Sequence, residues 1–134
     1  MITFQNVTKR YTETEPAVLR EVNFHIPPCG MAFLLGESGS GKTTMLNIIG
    51  GLDKYTSGDL VINGISTKKF TDIEWDTYRN HRVGFVFQSY NLIPHQTALQ
   101  NVELALTLSG IGKEERKKRA IAVLKKVGLS NQIN

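Results

Sequence analysis

Alternating hydrophobic and polar residues predict β-strands in the first part of the chain. Ile2-Thr3-Phe4 is one such segment, and Val18 to Ile26 is a longer one with apolar residues on one face and polar residues on the other. Apolar residues also flank Asn63-Gly64 within the stretch from Leu60 to Ile65, and this dipeptide favours a tight turn between antiparallel strands. We therefore predict two strands and, later in the chain, a hairpin.

Two continuous apolar runs predict strands of a different kind. Met31 to Leu35 ends at a glycine, and Val83 to Phe87 is a second run. Short runs without alternation are typical of strands buried on both faces of a parallel sheet. A glycine-rich turn follows the first run, and the residues after that turn, from about Lys42 to Ile49, are predicted to form a helix.

Capping boxes mark the starts of two further helices. In this pattern a threonine is followed three residues later by glutamate or glutamine, and each side chain bonds the backbone of the other residue. Thr71 with Glu74 predicts a helix that runs to about His81, and Thr97 with Gln100 predicts a second one. The apolar stripe of this second helix consists of Leu99, Val102 and Leu106.

The last predicted helix runs from about Lys113 to Val127 and ends at Gly128. Its apolar face is predicted to contain Ala120, Ile121, Leu124 and Val127. Residues 113–126 carry a net charge of +5, whereas the rest of the chain sums to −1. Because the positive charge is confined to one helix rather than spread over the fold, we interpret it as a solvated face and expect no nucleic-acid partner.

The composition agrees with a soluble globular domain. Of the 134 residues, 40% are hydrophobic and 21% are charged, and the mean hydropathy is −0.19. No apolar run approaches the roughly 20 residues that a membrane-spanning helix needs. We therefore expect a cytoplasmic protein, and the single cysteine, Cys29, excludes an internal disulfide.

The candidate chemistry lies in a glycine-rich segment, Gly36-Glu37-Ser38-Gly39-Ser40-Gly41-Lys42-Thr43. It lies between an apolar run and a predicted helix, which is the context that a phosphate-binding loop requires. The glycines allow backbone N–H groups to converge on phosphate oxygens, and the start of the helix adds its positive dipole end. Lys42 supplies a charge for the β- and γ-phosphates, and the Thr43 hydroxyl can ligate Mg²⁺. The sequence thus predicts a site for a nucleoside triphosphate with magnesium.

Three segments together resemble the ATP-binding subunit of ABC transporters: residues 36–44, Phe87-Gln88, and residues 97–102. The stretch from Ile93 to Val102 is similar in particular to exporters of the lipoprotein-release and of the macrolide or antimicrobial-peptide type. The resemblance implies an α/β fold: an ABC-type P-loop NTPase core with an antiparallel β subdomain and a helical subdomain, ending before the later core strands. It places the β subdomain at about 1–30 and 58–66, the core at about 31–57 and 67–88, and the helical subdomain at about 89–134.

The resemblance also implies roles for individual residues. Tyr11 would stack on adenine, and Gln88 would approach the attacking water and Mg²⁺ and contact the membrane subunit. The implied catalytic residues are Lys42 and Gln88, and the implied Mg²⁺ ligands are Thr43 and Gln88. The implied ATP-binding residues are Tyr11, Gly36, Glu37, Ser38, Gly39, Ser40, Gly41, Lys42, Thr43 and Thr44.

The implied partners are a transmembrane permease and a second ATPase subunit, which would hold the protein at the inner face of the cell membrane. The family pattern continues with a signature Leu-Ser-Gly-Gly-Gln, an Asp-Glu pair and a switch histidine, but the sequence stops at Asn134 before them. The stretch from Leu108 to Gly112 is only superficially similar to the signature, and we interpret it as a helix end. We therefore expect a longer natural protein and no ATP hydrolysis by this chain alone.

Two other functions fit the phosphate-binding loop. One is a different nucleotide enzyme, such as a small-molecule kinase or a GTPase. The kinase would usually carry an arginine-rich lid and the GTPase an Asn-Lys-x-Asp motif, and the sequence contains neither. The other is a nucleotide-binding or interaction module without turnover, which nucleotide binding in the absence of phosphate release would distinguish.

Overall fold

The computed structural model describes residues 1–107 and 109–133. These residues form two compact units, with the boundary after Gly84. Leu108, the first residue of the signature-like stretch, and Asn134 lie outside the described residues.

The first unit is built on a four-stranded antiparallel sheet. Its strands are β1 (Ile2–Lys9), β2 (Leu19–Ile26), β3 (Ser57–Ile62) and β4 (Ile65–Ser66). Their order across the sheet is β2-β1-β3-β4, and each neighbouring pair is antiparallel. In the register of β1 with β2, Phe4 lies opposite Phe24, and the two rings stack with centroids 4.4 Å apart.

Both predicted strands and the hairpin are confirmed, with different limits. β1 continues past the predicted Ile2-Thr3-Phe4 to Lys9, because β2 and β3 supply hydrogen-bond partners on both of its edges. The predicted turn joins β3 to β4, and both of its residues have positive φ, 51° at Asn63 and 83° at Gly64, as a tight hairpin turn requires. Val18 was predicted to begin the second strand but lies before β2 and is 38% exposed.

Helices α1 (Lys42–Ile49) and α2 (Asp72–Arg82) complete the first unit. The Thr71–Glu74 capping box that starts α2 is formed as predicted. Both helices contribute to the core, α1 through Ile48 and α2 through Trp75. The remaining buried members of this core come from the sheet: Phe4, Val7, Leu19, Leu60 and Ile62.

The second unit contains α3 (Ala98–Thr107), α4 (Lys113–Lys126) and a short 3₁₀ helix at Ser130–Gln132. Thr97 and Gln100 exchange the two bonds of the second predicted capping box, at 2.9 and 3.2 Å. The buried core of this unit consists of Leu99, Ala120 and Leu124. Val127 was predicted on the same face, but α4 ends at Lys126, so Val127 caps the helix and is 63% exposed.

The two continuous apolar runs do not form strands, which corrects the prediction of a parallel sheet here. Residues 31–35 and 83–87 have no regular secondary structure. Met31, Phe33 and Leu35 are 81%, 77% and 89% exposed, and Val86 is fully exposed. A strand exists only where a second backbone accepts and donates its hydrogen bonds. Within the described ranges, no strand of the sheet pairs with either run.

Candidate functional site

The loop of residues 36–41 joins the first apolar run to α1, and its backbone depends on glycine. Gly39 and Gly41 have φ values of 82° and 89°, in the left-handed region that other residues avoid. A Cβ at Gly36 would lie 2.7 Å from the Ser40 hydroxyl oxygen, and a Cβ at Gly41 would lie 2.9 Å from a methyl carbon of Leu19. The tight loop that the sequence predicts is therefore formed in the structure.

Lys42 reaches back across this loop. Its Nζ donates to the carbonyl oxygens of Gly36 and Glu37, at 2.9 and 2.5 Å, and to the Ser40 hydroxyl at 3.2 Å. The ammonium group thus holds both ends of the loop close to the start of α1. The other loop side chains, Glu37 and Ser38, are exposed.

The start of α1 is suited to an anion. The first N–H groups of a helix have no acceptor within the helix, and the helix dipole makes this end positive. α1 begins after Gly41, which provides no side-chain cap, and its first turn contains no acidic residue. Each of the other three α-helices in the described residues has a side-chain cap or an acidic first turn. The first N–H groups of α1 therefore lack the acceptor side chain or nearby acidic group that the other helices have.

The two threonines after Lys42 have different surroundings. Thr43 is exposed, so its hydroxyl is accessible to a cation from solvent. Thr44 is only 8% exposed, and its hydroxyl lies 3.2 Å from the hydroxyl of Tyr11. Of the two side chains, Thr43 therefore has the accessible hydroxyl, whereas Thr44 links the helix to the Tyr11 ring.

Tyr11 lies in the loop after β1, and the structure brings it next to α1. The residue is 55% exposed, and the Lys9 ammonium lies 4.7 Å from the centroid of its ring. Lys9 is itself buried and forms an ion pair with Asp53. Neither Lys9 nor Asp53 belongs to a motif that the sequence reveals. Lys9 is two residues before Tyr11 in the sequence, but the strand ends at Lys9, so the alternation of a strand does not by itself predict their contact.

Gln88 belongs to the second unit. It lies exposed at a bend that directly follows the second apolar run. The structure therefore brings Tyr11, Lys42, Thr43 and Thr44 together within one unit, and the joint action of Gln88 and Thr43 on Mg²⁺ stays a prediction.

A glycine-rich loop between an apolar segment and a helix, closed by a lysine and followed by an exposed threonine, is typical of the class of P-loop nucleotide-binding proteins. The family model described as ABC transporter matches residues 19–134, and the chain belongs to this family. The family assignment made from the sequence is confirmed.

Several known proteins are similar to this chain. The ABC transporter ATP-binding protein MJ0796 of Methanocaldococcus jannaschii is 46% identical, and the match covers 98% of this chain and 58% of that protein. The lipoprotein-releasing system ATP-binding protein LolD of Saccharophagus degradans is 40% identical over 96% of this chain and 58% of its own length. The macrolide export ATP-binding/permease protein MacB of Pasteurella multocida is 38% identical over 99% of this chain and 21% of its own length.

The solved structures agree with this assignment. A dimeric, post-hydrolysis structure of the ATP-binding cassette MJ0796, bound to ADP and Pi, matches with a TM-score of 0.81 over 93% of this chain and 56% of that one. The predicted ABC-type P-loop fold class is thereby confirmed. The chain spans 58% of the length of MJ0796 and of LolD. None of the helices in the described residues is both long enough and apolar enough to cross a bilayer.

Proposed function

We propose that this chain is the ATP-binding portion of an ABC transporter ATPase that binds MgATP at residues 36–44 and powers transport through a partner permease. One observation carries the proposal: Lys42 closes a glycine-rich loop at the start of α1, which has no side-chain cap and no acidic residue in its first turn. A fixed loop of N–H donors beside a lysine suits a triphosphate, because both the dipole and the charge favour anions.

Each residue of the site has a proposed role. The N–H groups of the loop and of the first turn of α1 donate to the phosphate oxygens. Lys42 moves from the loop carbonyls to the β- and γ-phosphates, since its flexible side chain carries a compact charge. The Thr43 hydroxyl would hold Mg²⁺, which neutralises phosphate charge when bound. Tyr11 offers a face of its ring to adenine, and Gln88 orients water in the complete protein.

The relatives support the proposed partners. A macrolide export ATP-binding/permease protein and a lipoprotein-releasing ATP-binding protein both match this chain, which favours export through a permease at the inner face of the cell membrane. The dimeric relative favours a second ATPase subunit. We propose ATP hydrolysis by the full-length protein and none by the present chain, which lacks the Asp-Glu pair and the switch histidine of the family.

Calorimetric titration of the 134-residue chain with MgATP tests the proposal, with MgGTP for comparison and a phosphate-release assay on the same sample. We expect MgATP binding without phosphate release. Absence of binding in a sample with a native circular dichroism spectrum would contradict the phosphate-loop assignment. Steady phosphate release would contradict the absence of a catalytic base.

Lys42→Ala is the variant with the largest expected effect on binding. It removes the only lysine of the loop, and we expect affinity for MgATP to fall below the measurable range, because a charge-assisted contact to phosphate is lost. Lys125→Ala on α4 is the matched control, since it removes the same charge at the far end of the chain. Equal affinity of the two variants would refute the role of Lys42.

Gln88→Ala tests the coupling role in a full-length ABC transporter ATPase that contains this chain. Because Gln88 lies outside the loop that binds phosphate, we expect unchanged ATP affinity and reduced transport-coupled turnover. The measurements are equilibrium ATP binding and ATPase activity with the permease present. Normal transport and normal hydrolysis together would eliminate the proposed role.

A further inference from the structure

We infer that Lys9 is a positioning residue for base binding: it fixes the Tyr11 ring and covers one face of it, so that a nucleobase can stack only on the other face. The inference deepens the proposed function and rests on the stacking role of Tyr11. Lys9 is proposed to strengthen binding of the base, whereas the loop of residues 36–44 is proposed to bind the phosphates.

Lys9 is held in place by two strong contacts. It is 8% exposed, which is unusual for a lysine. Its Nζ donates to a carboxylate oxygen of Asp53 at 2.5 Å and to the carbonyl oxygen of Lys54 at 2.7 Å. The same Asp53 oxygen accepts the backbone N–H of Lys54 at 2.8 Å, so the acceptor is fixed as well. The ammonium therefore has little freedom to move away from Tyr11.

The Tyr11 ring is restrained at two points. The Lys9 ammonium lies 4.7 Å from the ring centroid, within the range of a cation–π contact. The hydroxyl lies 3.2 Å from that of Thr44, a buried residue in the first turn of α1. With one face of the ring against a cation and its tip against the helix, Tyr11 as a whole residue is still 55% exposed. That remaining surface is what a base can use.

The backbone around Lys9 is also anchored. The N–H of Val18 donates to the Lys9 carbonyl oxygen at 2.8 Å, and the N–H of Arg10 donates to the Thr56 hydroxyl at 2.9 Å. β1 ends at Lys9, so Tyr11 lies just beyond the last anchored residues. The backbone by itself does not orient the ring, and the side-chain contacts of Lys9 and Thr44 supply that restraint.

Fixing the ring before binding has a physical consequence. A side chain that is ordered only on binding lowers affinity, because its lost rotamer freedom opposes association. A ring that is already held by Lys9 avoids this cost when the base stacks. Inorganic tripolyphosphate has no base and gains nothing from an ordered Tyr11. The ratio of ATP affinity to tripolyphosphate affinity therefore measures what the nucleoside adds to binding. The change in this ratio when Lys9 is substituted isolates the contribution of Lys9.

Lys9→Met tests the inference, since methionine keeps a long apolar side chain and removes the charge. In the 134-residue chain with magnesium, we expect about a 3- to 10-fold loss of ATP affinity and no change for tripolyphosphate. Tyr11→Ala should weaken ATP binding about tenfold or more and should likewise leave tripolyphosphate binding unchanged. In the Tyr11→Ala background, Lys9→Met should have no further effect. Lys9→Arg keeps the charge and should restore most of the affinity for ATP.

Loss of the charge in Lys9→Met also leaves Asp53 unpaired, so Lys9→Met/Asp53→Asn is the second variant, with both charges removed. It should show the same selective loss while keeping the native circular dichroism spectrum. Equal losses for ATP and tripolyphosphate would overturn the inference, as they indicate a merely structural role. If Tyr11→Ala weakens ATP binding and Lys9→Met does not, the inference about Lys9 fails while the stacking role of Tyr11 stands. If Tyr11→Ala leaves ATP binding unchanged, the stacking part of the proposed function fails.

Discussion

Strands β1 and β2 of the antiparallel sheet alternate apolar and polar residues for most of their length and the two apolar runs do not, yet only the sheet strands are paired. Phe4 in β1 is 1% exposed, whereas Phe33 in the first run is 77% exposed. β1 has a strand on each side, but residues 31–35 and 83–87 have none among the strands of the described residues. Apolar composition therefore creates a tendency to form a strand, and a neighbouring backbone is needed to realise it.

The difference follows from where the partners lie in the chain. β1 meets β2 across the loop of residues 10–18, and β3 meets β4 through a two-residue turn, so these partners are consecutive in the chain. A parallel strand needs a partner that returns by a longer crossover connection. Two of the three antiparallel pairs therefore form between consecutive strands, whereas the third, β1 with β3, pairs Ile2 with Ile62 and, like a parallel pair, depends on more distant parts of the fold.

Gly58→Val should have the largest effect, because it breaks the paired region. Gly58 in β3 has a φ of 91°, and a Cβ there would lie 2.2 Å from the carbonyl oxygen of Asn6 in β1. We expect destabilisation of more than about 4 kcal/mol, enough to unfold the sheet. Fluorescence of the single tryptophan, Trp75, during urea unfolding reports on this unit. Gly84→Val is the control, since a Cβ at Gly84 meets no atom within 4 Å, and an equal loss there would refute the steric argument.

A pair of identical substitutions sharpens the comparison directly. Phe4→Ala should lower the free energy of unfolding by about 3 to 5 kcal/mol, because it removes a fully buried ring that stacks on Phe24. Phe33→Ala should change it by less than about 0.5 kcal/mol, because that ring is already exposed to solvent. Urea denaturation followed by Trp75 fluorescence measures both. Similar values for the two variants would contradict the observed difference in burial.

Asn101→Asp tests how an irregular segment is held without strand pairing. The Asn101 amide nitrogen donates to the carbonyl oxygens of Ile93, Gln96 and Thr97, and its oxygen accepts the N–H of Ile93 at 2.8 Å. Aspartate has the same shape but loses the donors, so we expect a loss of about 1 to 3 kcal/mol. Hydrogen exchange of the Ile93 amide should accelerate. Unchanged exchange would mean that the side chain does not hold this turn.

The smallest expected effect concerns the two capping boxes. Glu74 accepts the N–H and the hydroxyl of Thr71, and these bonds lower the pKa of Glu74 below its ordinary value of about 4.5. The capping box therefore stabilises the fold fully above pH 4.5, the ordinary pKa of the glutamate. This stabilisation is lost as the pH falls through the lower pKa that Glu74 has in the folded protein. Glu74→Gln should reduce the acid sensitivity of thermal unfolding. The second box uses Gln100, which does not titrate. Gln100→Ala should therefore leave the shape of the pH dependence of thermal unfolding unchanged.

Much of the candidate site is determined by the sequence alone. The glycine spacing, Lys42 and the helix start are local features, and the structure forms the loop and a helix with the predicted limits, Lys42–Ile49. The capping boxes and the Asn63-Gly64 turn are also local and form as predicted. In each case the interacting groups are only a few residues apart, so chain geometry brings them together.

Only the tertiary structure decided which side chains surround Tyr11 and whether the two apolar runs pair as strands. Lys9 and Asp53 are 44 residues apart, and Tyr11 and Thr44 are 33 apart, so no spacing rule predicts either contact. Pairing of residues 31–35 and 83–87 likewise depends on a second backbone rather than on their own composition. The sequence by itself determined the chemistry of the phosphate loop, and the fold decided which distant side chains surround it, because those contacts depend on how the strands are arranged.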